Sequence, residues 1–224
     1  MFPWHQIDTV LLDMDGTLLD LHFDNHFWLQ LVPEQLSHQQ GISHQQASQM
    51  VTAAYHKVVG TLEWYCFDYW EQQLGLDLLT LHYSIVERIQ MRQDSMPFLQ
   101  ALAYANKRRI LLTNAHPKSL ALKLEHTELA MGLDEKLSSH ESGYPKEHPE
   151  FWRYAFEKYQ LDPTRCLFID DSPAILAASK LAGVEYQLAI TNPDSQKPHN
   201  VISDFPAIDD YRQLLQDLKT PYTN

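Results

Sequence analysis

Glycine is scarce in this chain, seven in 224 residues, and neither G-x-G-x-x-G nor G-x-x-x-x-G-K-[ST] occurs along it. The glycine-rich loops that wrap nucleotide phosphates in dinucleotide-binding and P-loop folds are therefore excluded. Cysteine is scarcer still. Cys66 and Cys166 stand far apart without C-x-x-C spacing, which argues against a disulfide framework and against a zinc site and fits a reducing cytoplasm. Positive charge is also short: 17 Lys+Arg face 29 Asp+Glu, a net −12 that repels a polyanion and argues against a nucleic acid polymer as ligand. A small anion would need a fixed lysine or a metal to hold it against that field. No apolar run approaches the roughly 18 residues of a membrane span, and the opening MFPWHQIDTVLLDMDG lacks the basic start and apolar stretch of a secretion signal. A soluble cytoplasmic protein with no membrane partner is expected.

What is present is an ordinary globular composition, 44% hydrophobic and 21% charged, in a length that suits one domain with an insertion. Residues 7–12 form a short apolar, β-branched run that stops abruptly at Asp13-Met14-Asp15-Gly16, the way a buried parallel strand meets a functional loop. Similar runs cover 109–114, 166–171 and 184–190, with a weaker one near 136–138. Helical patterns fall between them at 96–105, 117–124, 147–159 and 173–181, and a closing helix is read over 208–218 after a loop at 198–206. Strands alternating with helices predict an α/β fold with a doubly wound parallel sheet. The interval 20–95 breaks the alternation. It shows amphipathic stretches near 25–38, 44–59, 62–74 and 78–91, broken at Gly41, Gly60 and Gly75, so it reads as an inserted helical unit. The expected division is 1–19 with 96–224 as the sheet domain and 20–95 as the insertion.

Ligands of open parallel sheets bind beyond the carboxyl ends of the strands, so the polar residues there carry the functional weight. The first strand delivers Asp13 and Asp15; the second ends in Thr113-Asn114; Lys146 stands before a helix; the later strand ends in Asp170-Asp171. The string DMDGTLLD at 13–20 resembles the first motif of the haloacid dehalogenase superfamily, in its phosphatase branch. Thr113-Asn114, Lys146 in YPKEHPEFW and Asp170-Asp171 in LFIDDSP resemble its second, third and fourth motifs, in order. The strings WYCFDYW, ILLTNAHP, KLEHT, GYPKE and TNPDS are similar to a narrower group, the bacterial GMP/IMP nucleotidases. The resemblance implies a HAD-like, Rossmannoid core with the insertion as a helical cap. It also implies a Mg²⁺-dependent phosphomonoesterase that releases phosphate from purine nucleoside 5′-monophosphates through a phosphoaspartate. Another small phosphorylated metabolite, such as a sugar phosphate, or a phosphomutase reaction on the same scaffold, is the alternative. Dehalogenation is disfavoured because that branch lacks the second aspartate, here Asp15.

Chemistry runs beside the resemblance. Ester hydrolysis needs a nucleophile, a proton donor for the leaving oxygen and compensation for the phosphoryl charge. Asp13 suits the first role and Asp15 the second, as acid and then base. Thr113 and Asn114 suit phosphate oxygens, although both types are also common in plain strand-end turns. Lys146 is the fixed cation; no other lysine between the second and third strand runs is read as suitably placed. The family often has Pro after this lysine, where this chain has Glu147, and His148 is either a phosphate-side contact or exposed. The metal implied is Mg²⁺, on Asp13, the Asp15 main chain and the Asp170-Asp171 pair, with Asp171 as the direct ligand of the two. For the leaving group, His22, Trp64 and Asp68 are the candidate selectors, the last two from the aromatic run 64–70, most of which is expected to be core. Arg88 and Arg92 are expected to pair with acids at the surface.

Overall fold

Residues 2–219 are described by a computed structural model. Six parallel strands form one sheet: β1 (Thr9–Leu12), β2 (Arg108–Thr113), β3 (Glu135–Ser138), β4 (Cys166–Asp170), β5 (Tyr186–Ile190) and β6 (Ala207–Ile208), in the order β3-β2-β1-β4-β5-β6. The chain builds outward from β1 on one side through β2 and β3, then crosses to the other side for β4, β5 and β6. The reversal therefore lies at β1, where such sheets open a crevice for ligands. Val10 and Leu12 point to one face and Leu11 to the other; Leu111 opposes Ile110 and Leu112 in the same way. Alternate residues enter different apolar clusters, so both faces are covered, as a parallel sheet requires.

The helices are α1 (His22–His26), α2 (Val32–Gln40), α3 (His44–Tyr55), α4 (Phe67–Leu74), α5 (Leu78–Tyr83), α6 (Ser95–Tyr104), α7 (Pro117–Glu125), α8 (Ser139–Ser142), α9 (Pro149–Tyr159), α10 (Pro173–Leu181) and α11 (Arg212–Lys219). Helices α6, α7 and α11 cover the face of Val10 and Leu12, and α9 with α10 covers the other. Helices α1 to α5 lie between β1 and β2 in sequence, and their own core of Phe23, Phe27, Val51 and Trp70 is continuous with the first cluster. Among the described residues no helix is long and apolar enough to cross a membrane.

The run from α1 into α2 is one helix widened by a π turn over Phe27–Leu31. Pro33 supplies the reason, because it has no amide to give and its ring crowds the preceding turn. The Trp28 carbonyl, whose π-type partner is that proline, accepts instead from the Tyr55 hydroxyl at 3.1 Å. Helix α3 starts on a reciprocal cap: Ser43 accepts from the Gln46 amide while the Gln46 side chain accepts from the Ser43 amide.

Three local readings are corrected. Ile208 belongs to the edge strand β6, and the closing helix begins at Arg212; a two-residue strand has no periodicity and exists only through its pairing with β5. Helix α9 starts at Pro149 because His148 caps it, its ring accepting from the Glu150 amide. Arg92 pairs with an acid as expected, Asp94 at 3.3 Å, but in the interior: its side chain is 8% exposed and also donates to the Asn192 and Asp209 carbonyls at 2.7 and 2.8 Å.

Candidate active site

Strand register assembles the centre. Leu12 of β1 is level with Leu111 of β2 and Ile169 of β4, so Asp13 leaves the sheet beside Asp170, and the Asp13 amide donates to the Ile169 carbonyl at 3.0 Å. Gly16 then turns the chain with φ +84°. A Cβ there would lie 2.8 Å from Asp171 Cγ and 2.9 Å from Pro193 Cβ, so only glycine lets the two loops approach. Lys146 reaches the same point from the far side of β2, 1% exposed. Its ammonium donates to Asp13 Oδ1 at 2.5 Å and to Asp170 Oδ2 at 2.7 Å. Its backbone is held at both ends, the amide donating to Asn114 Oδ1 and the carbonyl accepting from Trp152 Nε1. Thr113 is buried beside Asn114, and its hydroxyl accepts from the Ala115 amide.

Oxygen atoms of Asp13, Asp170 and Asp171 lie within 4.8 Å of one another. Burial pushes the Asp13 carboxyl upward, and the charges of Asp170 and Asp15 add to it against the pull of Lys146. Asp171 is raised too, by burial and then by Asp170 and Asp13. Burial opposes the Lys146 charge, yet Asp13 and Asp170 outweigh it and hold the ammonium above the usual lysine range. Three carboxylates around one ammonium leave uncompensated negative charge on an all-oxygen donor set, and Asp171 is in no ion pair among the described residues. A hard divalent cation fits that set. Asp170 is the most occupied of the three, since its other oxygen accepts from the Ser172 amide.

Asp15 faces a different partner. Its Oδ1 accepts from Lys123 at 2.7 Å, and the same ammonium donates to Asp24 Oδ1 at 2.6 Å. Lys123 is 1% exposed, which corrects the expectation that Lys146 is the only well-placed lysine of this region. The signal was in the helix pattern: on α7, Lys123 falls on the same buried stripe as Ser119, Leu120 and Leu122. Glu147, which stands where the family often has Pro, is a connector. Its two oxygens accept from the Tyr65 hydroxyl at 2.7 Å and from Asn114 Nδ2 at 3.1 Å, so it connects the inserted helices to the second strand end.

Asp13, Asp15, Asn114, Lys146, Asp170 and Asp171 form the floor of a cavity of about 400 Å³. Its walls include Trp28, Tyr55, Trp64, Tyr65, Phe67 and His82, so the polar floor is roofed by rings. Of the three proposed leaving-group selectors only Trp64 lines it. Asp68 has a side chain 67% exposed and is paired with Lys118 at 2.7 Å, and His22 faces Asp194 at 3.5 Å. His148, exposed and capping α9, is not in the lining either.

The chain matches the family model for haloacid dehalogenase-like hydrolase over residues 7–183. It is 50% identical over 215 residues to the GMP/IMP nucleotidase YrfG of Escherichia coli (strain K12), covering 96% of this chain and 97% of that protein. Among solved structures it resembles the HAD phosphatase from Thermococcus onnurineus, with TM-score 0.79 and 22% identity over 95% of this chain and 98% of that one. It also resembles the HAD-hydrolase YfnB from Bacillus subtilis, solved with magnesium, with TM-score 0.65 and 21% identity over 96% and 99% of the two chains.

Proposed function

This chain belongs to the haloacid dehalogenase-like hydrolases, and from that premise we propose that it is a phosphomonoesterase that cleaves purine nucleoside 5′-monophosphates, GMP and IMP, to nucleoside and phosphate. The observation that carries the reading is the Lys146 ammonium bridging Asp13 and Asp170 beneath a cavity walled by aromatic rings. A buried nucleophile beside a fixed cation suits a phosphoryl group; a ring-lined wall suits a planar base. The E. coli relative named for GMP and IMP supports the same substrate class.

In this reading an Asp13 oxygen attacks phosphorus and the bond to the nucleoside 5′ oxygen breaks. Asp15 gives that oxygen its proton, then takes a proton from the water that opens the phosphoaspartate. Lys123 orients Asp15 and joins it to Asp24 of α1. Thr113, Asn114 and Lys146 receive the non-bridging phosphate oxygens. Asp13, Asp171, Asp170 and the Asp15 main chain would hold Mg²⁺, which would supply charge neutralisation there; the magnesium in the B. subtilis structure supports this choice of ion. Residues 20–95 serve as the cap that selects the leaving group, with Trp64 in the base-facing wall and Trp28 and Tyr65 beside it.

The test is phosphate release from GMP, IMP, AMP, UMP, glucose 6-phosphate and an aryl phosphate, with Mg²⁺ or with chelator. GMP and IMP should be the preferred natural substrates, and chelator should abolish turnover. Equal efficiency on the sugar phosphate would move the assignment to a general metabolite phosphatase, and activity retained by Asp13→Asn would remove the phosphoaspartate.

A further inference from the structure

Cys66, His116 and His140 meet at the rim of the cleft, apart from the carboxylates, and one ligand atom of each lies within 4.8 Å of the other two. They arrive from three places: Cys66 precedes α4 in the cap, His116 precedes α7 after β2, and His140 is in α8 after β3. The cysteine is half-buried and free of any disulfide. The His140 Nε2 is buried without a hydrogen-bond partner among the described residues. The two imidazoles sit edge to face with centroids 4.8 Å apart. Burial pushes His140 down to about 4 and lowers His116 as well.

We propose that Cys66, His116 and His140 form a site for a thiophilic divalent cation, zinc above all, that joins the cap to the sheet domain. A thiolate with two imidazoles is a borderline-soft donor set that selects zinc over magnesium, the reverse of the carboxylate floor. Bonds of about 2.0–2.3 Å from zinc to nitrogen and sulfur require the three atoms to draw in modestly from their present spacing. Binding replaces the Cys66 thiol proton, which leaves to solvent. At His116, coordination through Nε2 moves the ring proton to Nδ1 and gives up the 3.3 Å bond from the Lys118 amide. Asp68 Oδ2, 3.8 Å from His116 Nε2, is the nearest carboxylate for the fourth position, which water fills otherwise. The spacing of the cysteines alone hid this set, because its members come from separate loops. Since Cys66 directly follows Trp64 and Tyr65 of the cavity wall, an ion here fixes that wall against the end of β2, and zinc slows turnover.

Cobalt(II) titrated into the protein in excess Mg²⁺ tests the site without relying on activity. One equivalent should give a thiolate-to-cobalt charge-transfer band with intense tetrahedral visible bands, and zinc should displace it. Cys66→Ser should abolish the charge-transfer band. His140→Gln should weaken zinc binding at least as much as the ~10–100-fold that loss of an outer partner costs a metal site. Circular dichroism confirms that each variant is folded, and Cys66→Ala replaces Cys66→Ser if the hydroxyl disturbs the rim. A cobalt spectrum without a thiolate band overturns the proposal. So does zinc inhibition that persists undiminished in both variants, which would place the ion on the carboxylates. Neither result bears on which phosphate ester the enzyme cleaves.

Discussion

Lys146 offsets part of the negative charge that Asp13, Asp170 and Asp171 bring together, and removing it leaves buried carboxylates without an ammonium. Lys146→Met is therefore expected to lose turnover by several orders of magnitude and to cost about 3–5 kcal/mol of stability, the scale for breaking a buried ion pair from one side. Phosphate release and urea unfolding read the two effects separately; a variant as stable as the parent would show that the carboxylates do not depend on this cation. His82 carries a pH effect. It is wholly buried against Phe23, Phe27 and Phe67, both ring nitrogens lack partners, and burial pushes its pKa from 6.5 down to about 2. A base with a depressed folded pKa gives stability that is fully present above about pH 6.5 and is lost as pH falls toward the folded value. Between neutrality and about pH 5 the unfolded imidazole gains a proton that the folded one refuses, a loss of about 2 kcal/mol. His82→Phe should flatten that part of the stability profile in denaturant titrations; an unchanged profile would assign acid sensitivity to other groups.

Among the elements, the turn after β1 is held by both its backbone and its neighbours. Gly16 combines a left-handed backbone with contacts that a Cβ would make to Asp171 and Pro193 below 3 Å. Gly16→Ala should cost at least about 1–2 kcal/mol from the backbone alone. It should also displace Asp171, so that Mg²⁺ affinity falls while circular dichroism stays native. Normal metal affinity in this variant would show that the Asp171 loop yields without consequence. Helix α7 belongs to the same scale: its Lys123 lies between Asp15, after β1, and Asp24 of α1, and donates to both. Only the packed helix showed Lys123 buried and which carboxylates face it.

Across the whole molecule, the three acids are a cost to folding that a bound cation relieves. Mg²⁺ should therefore raise the unfolding midpoint in proportion to the logarithm of its concentration, by mass action on the folded state. Asp171→Asn should lessen that dependence. A midpoint indifferent to Mg²⁺ in the parent protein would place the ion elsewhere. Helices α1 to α5 place aromatic rings over the carboxylates, and burial beneath them raises the Asp13, Asp24, Asp170 and Asp171 carboxyls together.

The sequence by itself determined the sheet and the floor of the site. Buried parallel strands are written as short apolar runs, and Asp13, Thr113, Asn114, Asp170 and Asp171 each sit where such a run stops, so strand register alone carries them to one edge. Lys146 was legible because its motif stands in order with the others. Tertiary structure decided what local pattern cannot encode: which side of a helix meets the cleft, and which loops distant in sequence become neighbours. It turned Asp68 to solvent and Trp64 to the cavity, although both lie in one aromatic run. It gave Glu147 a partner in Tyr65, made β6 a strand by pairing, and gathered Cys66, His116 and His140. Periodicity is a property of residues a few positions apart, whereas these contacts join segments that meet only once the chain has closed over its core.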